Sequence, residues 1–419
     1  MKRSTQSATA VVIVFGVSLL TSVSAFALGF KNPDQDAAAT GQGEAFVAQA
    51  DTPGAVYYNP AGLTQIHGTE VSGGGFITFR DIRFKGSAAG EELNDPAYTA
   101  HFYLSTDLGQ EKWRFGLGLN FPYGNEVDWG NNSSFKYQVT KSSLQVANYQ
   151  PTLAYKFNDH VSLGVGLNIY DGRTELNRLV PFSIIISPFL PDGRFRFDGN
   201  AQALGGTAGL LVTIDEHNSI GLTYRSPFAM DFHGHAVVKD DPTGSLGRSP
   251  ASAQIDFPQT IAAGYALRPN KKLKLEIDVE WTNWETLNQV KLHSPNAAFA
   301  TDPNSTIPFS WKDGFFYEFG AQYLIDDHWV ARAGYIFSEN TVPNDTFSPT
   351  LADSNRHVFS VGLGYSAKRF GVDLVYQYSL STDRTVSGSA DTNFDGAGDL
   401  DGKWKSDGHA LMATSTVKF

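Results

Sequence analysis

The chain has no cysteine, and only 18% of its 419 residues are charged. The first absence excludes a disulfide-stapled scaffold, thiolate metal sites, cysteine nucleophiles and a lipoprotein-type lipid anchor. Basic residues are outnumbered 32 to 43 by acidic ones, a net charge of −11. That balance offers phosphate no general attraction and argues against a nucleic-acid partner. Long apolar runs are missing beyond the N-terminus, so a helical membrane protein with repeated spans of ~20 residues is excluded. No Gly-x-Ser-x-Gly elbow or phosphate loop occurs, and nothing points to an enzyme or a cofactor. What the chain does have is 41 glycines, 7 Trp, 17 Tyr and 30 Phe. So many aromatics do not belong to a disordered chain.

The N-terminus reads as an address. Lys2-Arg3 make a positive start, Ala8 to Leu20 an uncharged apolar run, and Ala25-Phe26-Ala27 a small-residue cleavage site. Residues 1–27 are thus expected to be a secretory signal peptide, removed before Leu28, and the mature chain to be exported.

From Thr69 onward the apolar period is two. Val161, Leu163, Val165, Leu167 and Ile169 alternate with Ser162, Gly164, Gly166 and Asn168; Leu273 to Trp281 alternate in the same way with Lys274, Glu276, Asp278 and Glu280. Such alternation is the mark of strands with one apolar face. Fourteen strands follow, at about 69–83, 97–106, 113–123, 142–157, 161–170, 195–213, 219–238, 253–267, 273–292, 313–324, 329–337, 356–365, 370–379 and 405–419. Tight polar turns alternate with long loops, among them 171–194. An even number of strands joined in this way fits an all-β, transmembrane antiparallel β-barrel in the outer membrane of a Gram-negative bacterium. Tyr103, Trp113, Tyr123, Tyr170, Trp329, Tyr365 and Tyr378 stand where interfacial aromatic girdles belong. The final strand ends on Phe419, resembling the signal that barrel-assembly machinery reads; outer-membrane lipid and lipopolysaccharide are the other expected surroundings. Residues 28–68 lack a strand period but carry Phe30, Phe46, Val47, Val56 and Leu63, which favours a packed hatch inside the lumen of a barrel formed by 69–419.

These motifs in order complete a resemblance. Leu28-Gly29-Phe30, the Gly41-Gln42-Gly43 stretch and Asn59-Pro60-Ala61 precede Leu153-Ala154-Tyr155-Lys156, Leu222-Thr223-Tyr224-Arg225-Ser226, Trp281-Thr282-Asn283-Trp284 and Arg332-Ala333-Gly334-Tyr335. Over the whole mature chain the sequence resembles the FadL/TodX family of outer-membrane transporters for long-chain fatty acids and other hydrophobic compounds. The resemblance implies passive uptake through a hatch-plugged barrel, with lateral release into the bilayer at an inward kink of the third strand. Phe121-Pro122-Tyr123-Gly124 is the segment at that place. Proline there cannot donate a ladder bond, and glycine eases a bulge; an ordinary strand end is the other reading.

The resemblance further implies a ligand-binding arginine at Arg178, in the loop after Tyr170, with Phe30 and Leu28 beside the ligand and Asn59, Pro60 and Ala61 as the hatch motif. An arginine fork suits a carboxylate. Thr306-Ile307-Pro308 carries no cation where fatty-acid members of the family have a lysine, which leaves room for neutral aromatic hydrocarbons. A general aqueous porin is the third reading. The apolar loop run Leu179 to Ile186 is a candidate landing surface for a greasy ligand. His233-Gly234-His235 puts two imidazoles on one strand face without a third ligand, so no metal site is expected there. Asp391 to Gly396 begins like a calcium loop, but Gly402 stands where the bidentate glutamate should be.

Overall fold

The computed structural model describes residues 29–86, 90–300, 305–392 and 398–419. The expected signal peptide, Leu28 and residues 393–397 of the calcium-like segment lie outside the described residues. Fourteen antiparallel strands form the wall. They are β1 (Thr69–Gly86), β2 (Pro96–Thr106), β3 (Trp113–Asp128), β4 (Lys141–Lys156), β5 (Val161–Val180) and β6 (Gly193–Thr213). Next come β7, in two pieces (Asn218–Arg225 and Phe228–Lys239), and β8, also in two (Ser249–Phe257 and Thr260–Leu267). The wall ends with β9 (Leu273–Thr282), β10 (Gly314–Leu324), β11 (Trp329–Ser338), β12 (Arg356–Ser366), β13 (Phe370–Ser381) and β14 (Gly402–Lys418). The barrel closes where β1 pairs with β14, from Glu70–Lys418 to Gly86–Gly402. Closure joins the first strand to the last, so that the sheet has no free terminal edge toward lipid.

Outward positions are apolar and exposed: Leu163, Val165 and Leu167 on β5, Ile277 on β9, Val361 and Leu363 on β12. Inward positions are small or polar and buried, such as Asn148, Gln150, Asn168, Glu276 and Asp278. This is the reverse of a water-soluble barrel, and it fits lipid outside with a filled lumen inside.

Two expectations need correcting. Tyr103, Tyr123 and Tyr170 are not in a girdle; all three face inward and are fully buried. On β2 and β5 they share parity with the lumen-facing Ser105 and Asn168, and the Tyr103 hydroxyl donates to the hatch carbonyl of Gln35 at 3.0 Å. The second correction concerns the loop expected at 171–194, most of which is strand. β5 and β6 rise past the apolar band and pair as far as Val180–Gly193. Polar outward residues Asp171 and Arg173 make the extension look like loop by hydropathy, yet inward Gly172 and Arg178 stay buried.

Residues 29–68 lie inside the barrel. They form a single turn of helix, α1 (Ala37–Thr40), a second, α2 (Ala55–Tyr58), and a 3-10 helix over Pro60–Gln65. Asp36 caps α1, its carboxylate accepting from the Ala38 amide at 2.8 Å.

Candidate functional site

The hatch is held from several sides by groups that its sequence places one after another. Asn59, extended at the head of the 3-10 helix, accepts from the Ala61 amide at 3.1 Å. Its Nδ2 donates to Val47 O at 2.7 Å and to Leu210 O of β6 at 3.0 Å. Asn59, Pro60 and Ala61 therefore form a turn seated against the wall, and the seat exists because β5 and β6 carry glycines there. A Cβ at Gly164 would fall 2.4 Å from the Pro60 carbonyl carbon, and one at Gly209 2.2 Å from Asn59 Oδ1.

β9 holds the other side. Its inward residues are charged at four successive positions, and each engages the hatch. Lys274 pairs with Asp51 at 2.6 Å, and Glu276 accepts from the amides of Ala48 (2.6 Å) and Gln49 (3.3 Å). Asp278 accepts from Phe46 and Val47, both at 2.8 Å, and Glu280 pairs with Lys31. Hydropathy alternation located this strand but gave these carboxylates no role. The available signal was their number, since four charged inward positions in a row need partners inside the barrel. Within the hatch, burial pushes the Asp36 carboxyl up to about 6, with the Asp373 charge adding to it. Burial, and then Asp34, hold Glu44 well above the usual carboxylate range. A cavity of about 40 Å³ separates hatch from wall, lined by Lys31, Glu44, Tyr58, Arg225, Glu280 and Glu318 among others.

Above the hatch lies a layer of aromatic rings. Phe30 packs on Trp311 at 4.9 Å between ring centres and on Trp284 at 6.2 Å. Trp284 meets Tyr123 at 6.3 Å, Tyr123 meets Phe257 at 4.9 Å, and Phe257 stacks on Phe228 at 4.7 Å. Phe228 in turn stacks on Tyr170 at 3.8 Å. Arg178 belongs to the upper strand of this region. It is buried, with its guanidinium 4.8 Å over the Phe195 ring. The apolar run after Leu179 forms the tip above, with Ile185 and Phe189 exposed.

At Phe121-Pro122-Tyr123-Gly124 the alternation of β3 stops, and residues 120–125 are all buried. The pairing with β4 shifts register between Asn120 and Tyr123, a one-residue bulge. On the other side β2 pairs with β3 only from Phe102–Leu119 to Thr106–Phe115, leaving β2 residues 96–101 without a partner on that side. The hatch takes over the bonds the kink loses. Asn32 N–H donates to Pro122 O at 2.8 Å, Gly124 N–H to Phe30 O at 2.8 Å, and Phe121 N–H to Gln35 Oε1 at 3.0 Å. Phe30, the hatch and the kink are thus one hydrogen-bonded unit, whereas Arg178 lies eight residues beyond Tyr170 on β5, over Phe195, whose ring meets Phe299 at 6.3 Å.

The weak metal candidates do not converge. His233 pairs with Asp231 at 3.0 Å, whereas His235 Nδ1 accepts from Arg248 Nη2 at 3.0 Å. No group of three metal-ligating side chains occurs among the described residues.

Comparison with known proteins gives a consistent picture. The family model described as outer membrane protein transport protein (OMPP1/FadL/TodX) matches residues 18–419. A long-chain fatty acid transport protein of Escherichia coli O6:H1 is 23% identical, with 86% of this chain and 87% of that protein covered. Among solved structures, a Pseudomonas aeruginosa FadL homologue superposes with a TM-score of 0.82 at 20% identity, covering 94% of this chain and all of the other. The Pseudomonas putida toluene transporter TodX gives 0.72 at 16% identity, covering 95% of this chain and all of the other.

Proposed function

The chain belongs to the outer membrane protein transport protein (OMPP1/FadL/TodX) family, and from that premise we propose that it carries long-chain fatty acids inward by passive, lateral release. The observation that carries this reading is the β3 kink, where the wall loses its pairing with β2 beside an aromatic layer and a hatch. A fatty acid gains ~0.8 kcal/mol for each CH₂ buried among such rings. It then has no reason to enter water, and a sideways step into the bilayer keeps it dry.

Arg178 supports an acid as the ligand, being a buried guanidinium on the extension of β5 above the aromatic layer, a residue type whose planar fork suits a carboxylate. The alternative is a neutral aromatic hydrocarbon, favoured by the absence of a cation at Thr306-Ile307-Pro308 and by the likeness to the toluene transporter. A general aqueous porin is disfavoured by residues 29–68, which occupy the lumen. Lipopolysaccharide, outer-membrane lipid and an assembly factor reading the exposed Phe419 belong to the same proposal.

Two variants test it. Deleting Pro122 removes the extra residue of the bulge and should straighten β3, cutting uptake of labelled oleate while the barrel stays folded; unchanged uptake would sink lateral release at the kink. Arg178→Ala should weaken binding of oleate more than of p-xylene, and equal losses would reject its carboxylate role.

A further inference from the structure

We infer that the wall has a second lateral opening, between β6 and β7, through which the hydrophobic ligand also passes from the aromatic layer to the outer leaflet. This inference rests on the lateral-release reading. β6 and β7 are laddered at both ends, from Thr213–Ser219 to Thr207–Arg225 below and from Asn200–His233 to Arg194–Lys239 above. Between the ladders, residues 201–206 face residues 226–232 with no ladder pairs, and β7 carries one residue more than β6. At the lower edge Ser226 N–H donates to Gly206 O at 2.8 Å, and Gly206 N–H to Ser226 Oγ at 2.9 Å. A stretch of unpaired backbone costs several kcal/mol per group in hydrocarbon and is tolerated where it is buried in protein or lines a cavity that admits water, so an interval of this length at lipid depth marks a break in the wall. Pro227 has no amide to offer a ladder, as Pro122 has none at the kink.

The depth is right for the outer leaflet. Ser226 lies as far above the strand start at Asn218 as Phe121 lies above Trp113. Leu204, in the unpaired interval and 68% exposed, is partnered on its other side by the lipid-facing Ile169. Two residues higher, Gln202 is partnered by Asp171, where the apolar band gives way to polar side chains. A fatty acid in the gap would therefore have its chain at lipid level and its headgroup at the polar rim.

The interior side is continuous with the layer already described. Behind the gap stand Phe228, Met230 and Phe232, each buried. Phe228 is 5.7 Å from Tyr123 between ring centres, so the same stack reaches from the β3 kink to the β6–β7 gap. On β6 the inward positions of the interval are small, Ala201, Ala203 and Gly205, and a Cβ at Gly205 would lie 3.1 Å from the Tyr170 ring and from Ser226 Oγ. Met230 lies against Gly172, where a Cβ would come within 2.6 Å of its methyl carbon. An unbranched thioether side chain is the kind that can swing aside without strain.

The chain has no cysteine, so a closing cross-link can be placed cleanly. Leu204→Cys with Ala229→Cys puts two outward thiols on the facing unpaired intervals. Oleate uptake is measured in this pair with and without Pro122, oxidised and reduced, with folding followed by heat-dependent gel mobility. Residual uptake in the Pro122-deleted chain that drops to the protein-free level on oxidation, and returns on reduction, supports the second opening. No residual uptake after Pro122 deletion, or residual uptake that oxidation leaves unchanged, overturns it and leaves release at the kink intact. Uptake that neither manipulation lowers overturns both. Should the pair fail to cross-link, a diazirine-bearing palmitate applied to the Pro122-deleted chain decides: competable labelling within 201–206 or 226–232 supports the opening, and its absence overturns it.

Discussion

Gly164→Ala probes the seat of the hatch with a single methyl group. The added Cβ would lie 2.4 Å from the Pro60 carbonyl carbon, 2.5 Å from the Ala61 nitrogen and 2.6 Å from Pro60 Cβ. Carbon contacts are comfortable at about 3.5–4.0 Å, so the turn must withdraw by about 1 Å. None of the three atoms is the end of a flexible side chain, and β5 is laddered on both sides. The hatch is therefore the partner that moves. Withdrawal lengthens two bonds that tie this turn to the wall, Asn59 Nδ2 to Leu210 O at 3.0 Å and Thr64 Oγ1 to Ser162 Oγ at 2.8 Å. At about 1 kcal/mol net for each neutral buried bond, the hatch loses about 2 kcal/mol against the wall. That is about a 30-fold rise in the population of the loosened hatch. Hydrogen exchange of amides 55–66 should accelerate by that order, while the mobility of the folded barrel on unheated gels stays the same. Gly247→Ala, where an added Cβ meets nothing within 4 Å, is the control. Unchanged exchange in the Gly164 variant would mean that the turn is not seated on the wall, and the reasoning would fall with it.

Asp278→Ala leaves the Phe46 and Val47 amides without their acceptor, at about 1–3 kcal/mol for each buried orphan; faster exchange at 46–49 and a higher bilayer conductance are expected, and a hatch as protected as before would refute the anchor role of β9. Asp36 supplies a pH dependence. Its folded value, about 6, stands above that of an ordinary aspartate because of burial first and Asp373 second. The charged form is thus disfavoured in the folded hatch, which gains stability as pH falls from about 6 to about 4 and loses it as pH rises back through 6. Protection of α1 amides, corrected for intrinsic exchange, should follow that course. Asp36→Asn, which can still cap the helix, should flatten it.

The barrel was legible because lipid and lumen impose opposite chemistry on successive residues. Leu163 to Ile169 and Leu273 to Trp281 announce their faces without any tertiary information. The extension of β5 to Val180 was hidden because, above the bilayer, the outward face becomes polar: Asp171 and Arg173 read as loop while Gly172 and Tyr170 remain inside. The three tyrosines misassigned to the girdle failed for a related reason. An aromatic near a strand end suits the interface only on the outward parity, which Tyr103 and Tyr170 lack, and for Tyr123 parity could not be carried across the bulge after Asn120. Phe121-Pro122 could be suspected from proline alone; Pro227 offers the same hint at the β6–β7 gap, but the one-residue mismatch between these two consecutive strands shows only in their pairing register.

The inward face carries a fuller record of the hatch than the hatch carries of itself. Its segment has no period and little hydropathy signal, yet the wall is cut to fit it: glycine at 164 and 209 where Asn59 and Pro60 approach, glycine at 334 where Gly43 N would sit 2.0 Å from a Cβ. Charge at 274, 276, 278 and 280 faces the segment's own amides and ions. An open aqueous pore would need none of these, since water accommodates side chains of any size and solvates charge without partners. Lumen-facing glycines together with a strand charged at four successive inward positions are therefore the feature that points to a plugged barrel here, since a solvated pore wall does not need the glycines. It distinguishes the two architectures where strand counting cannot, and it locates the contact surface strand by strand.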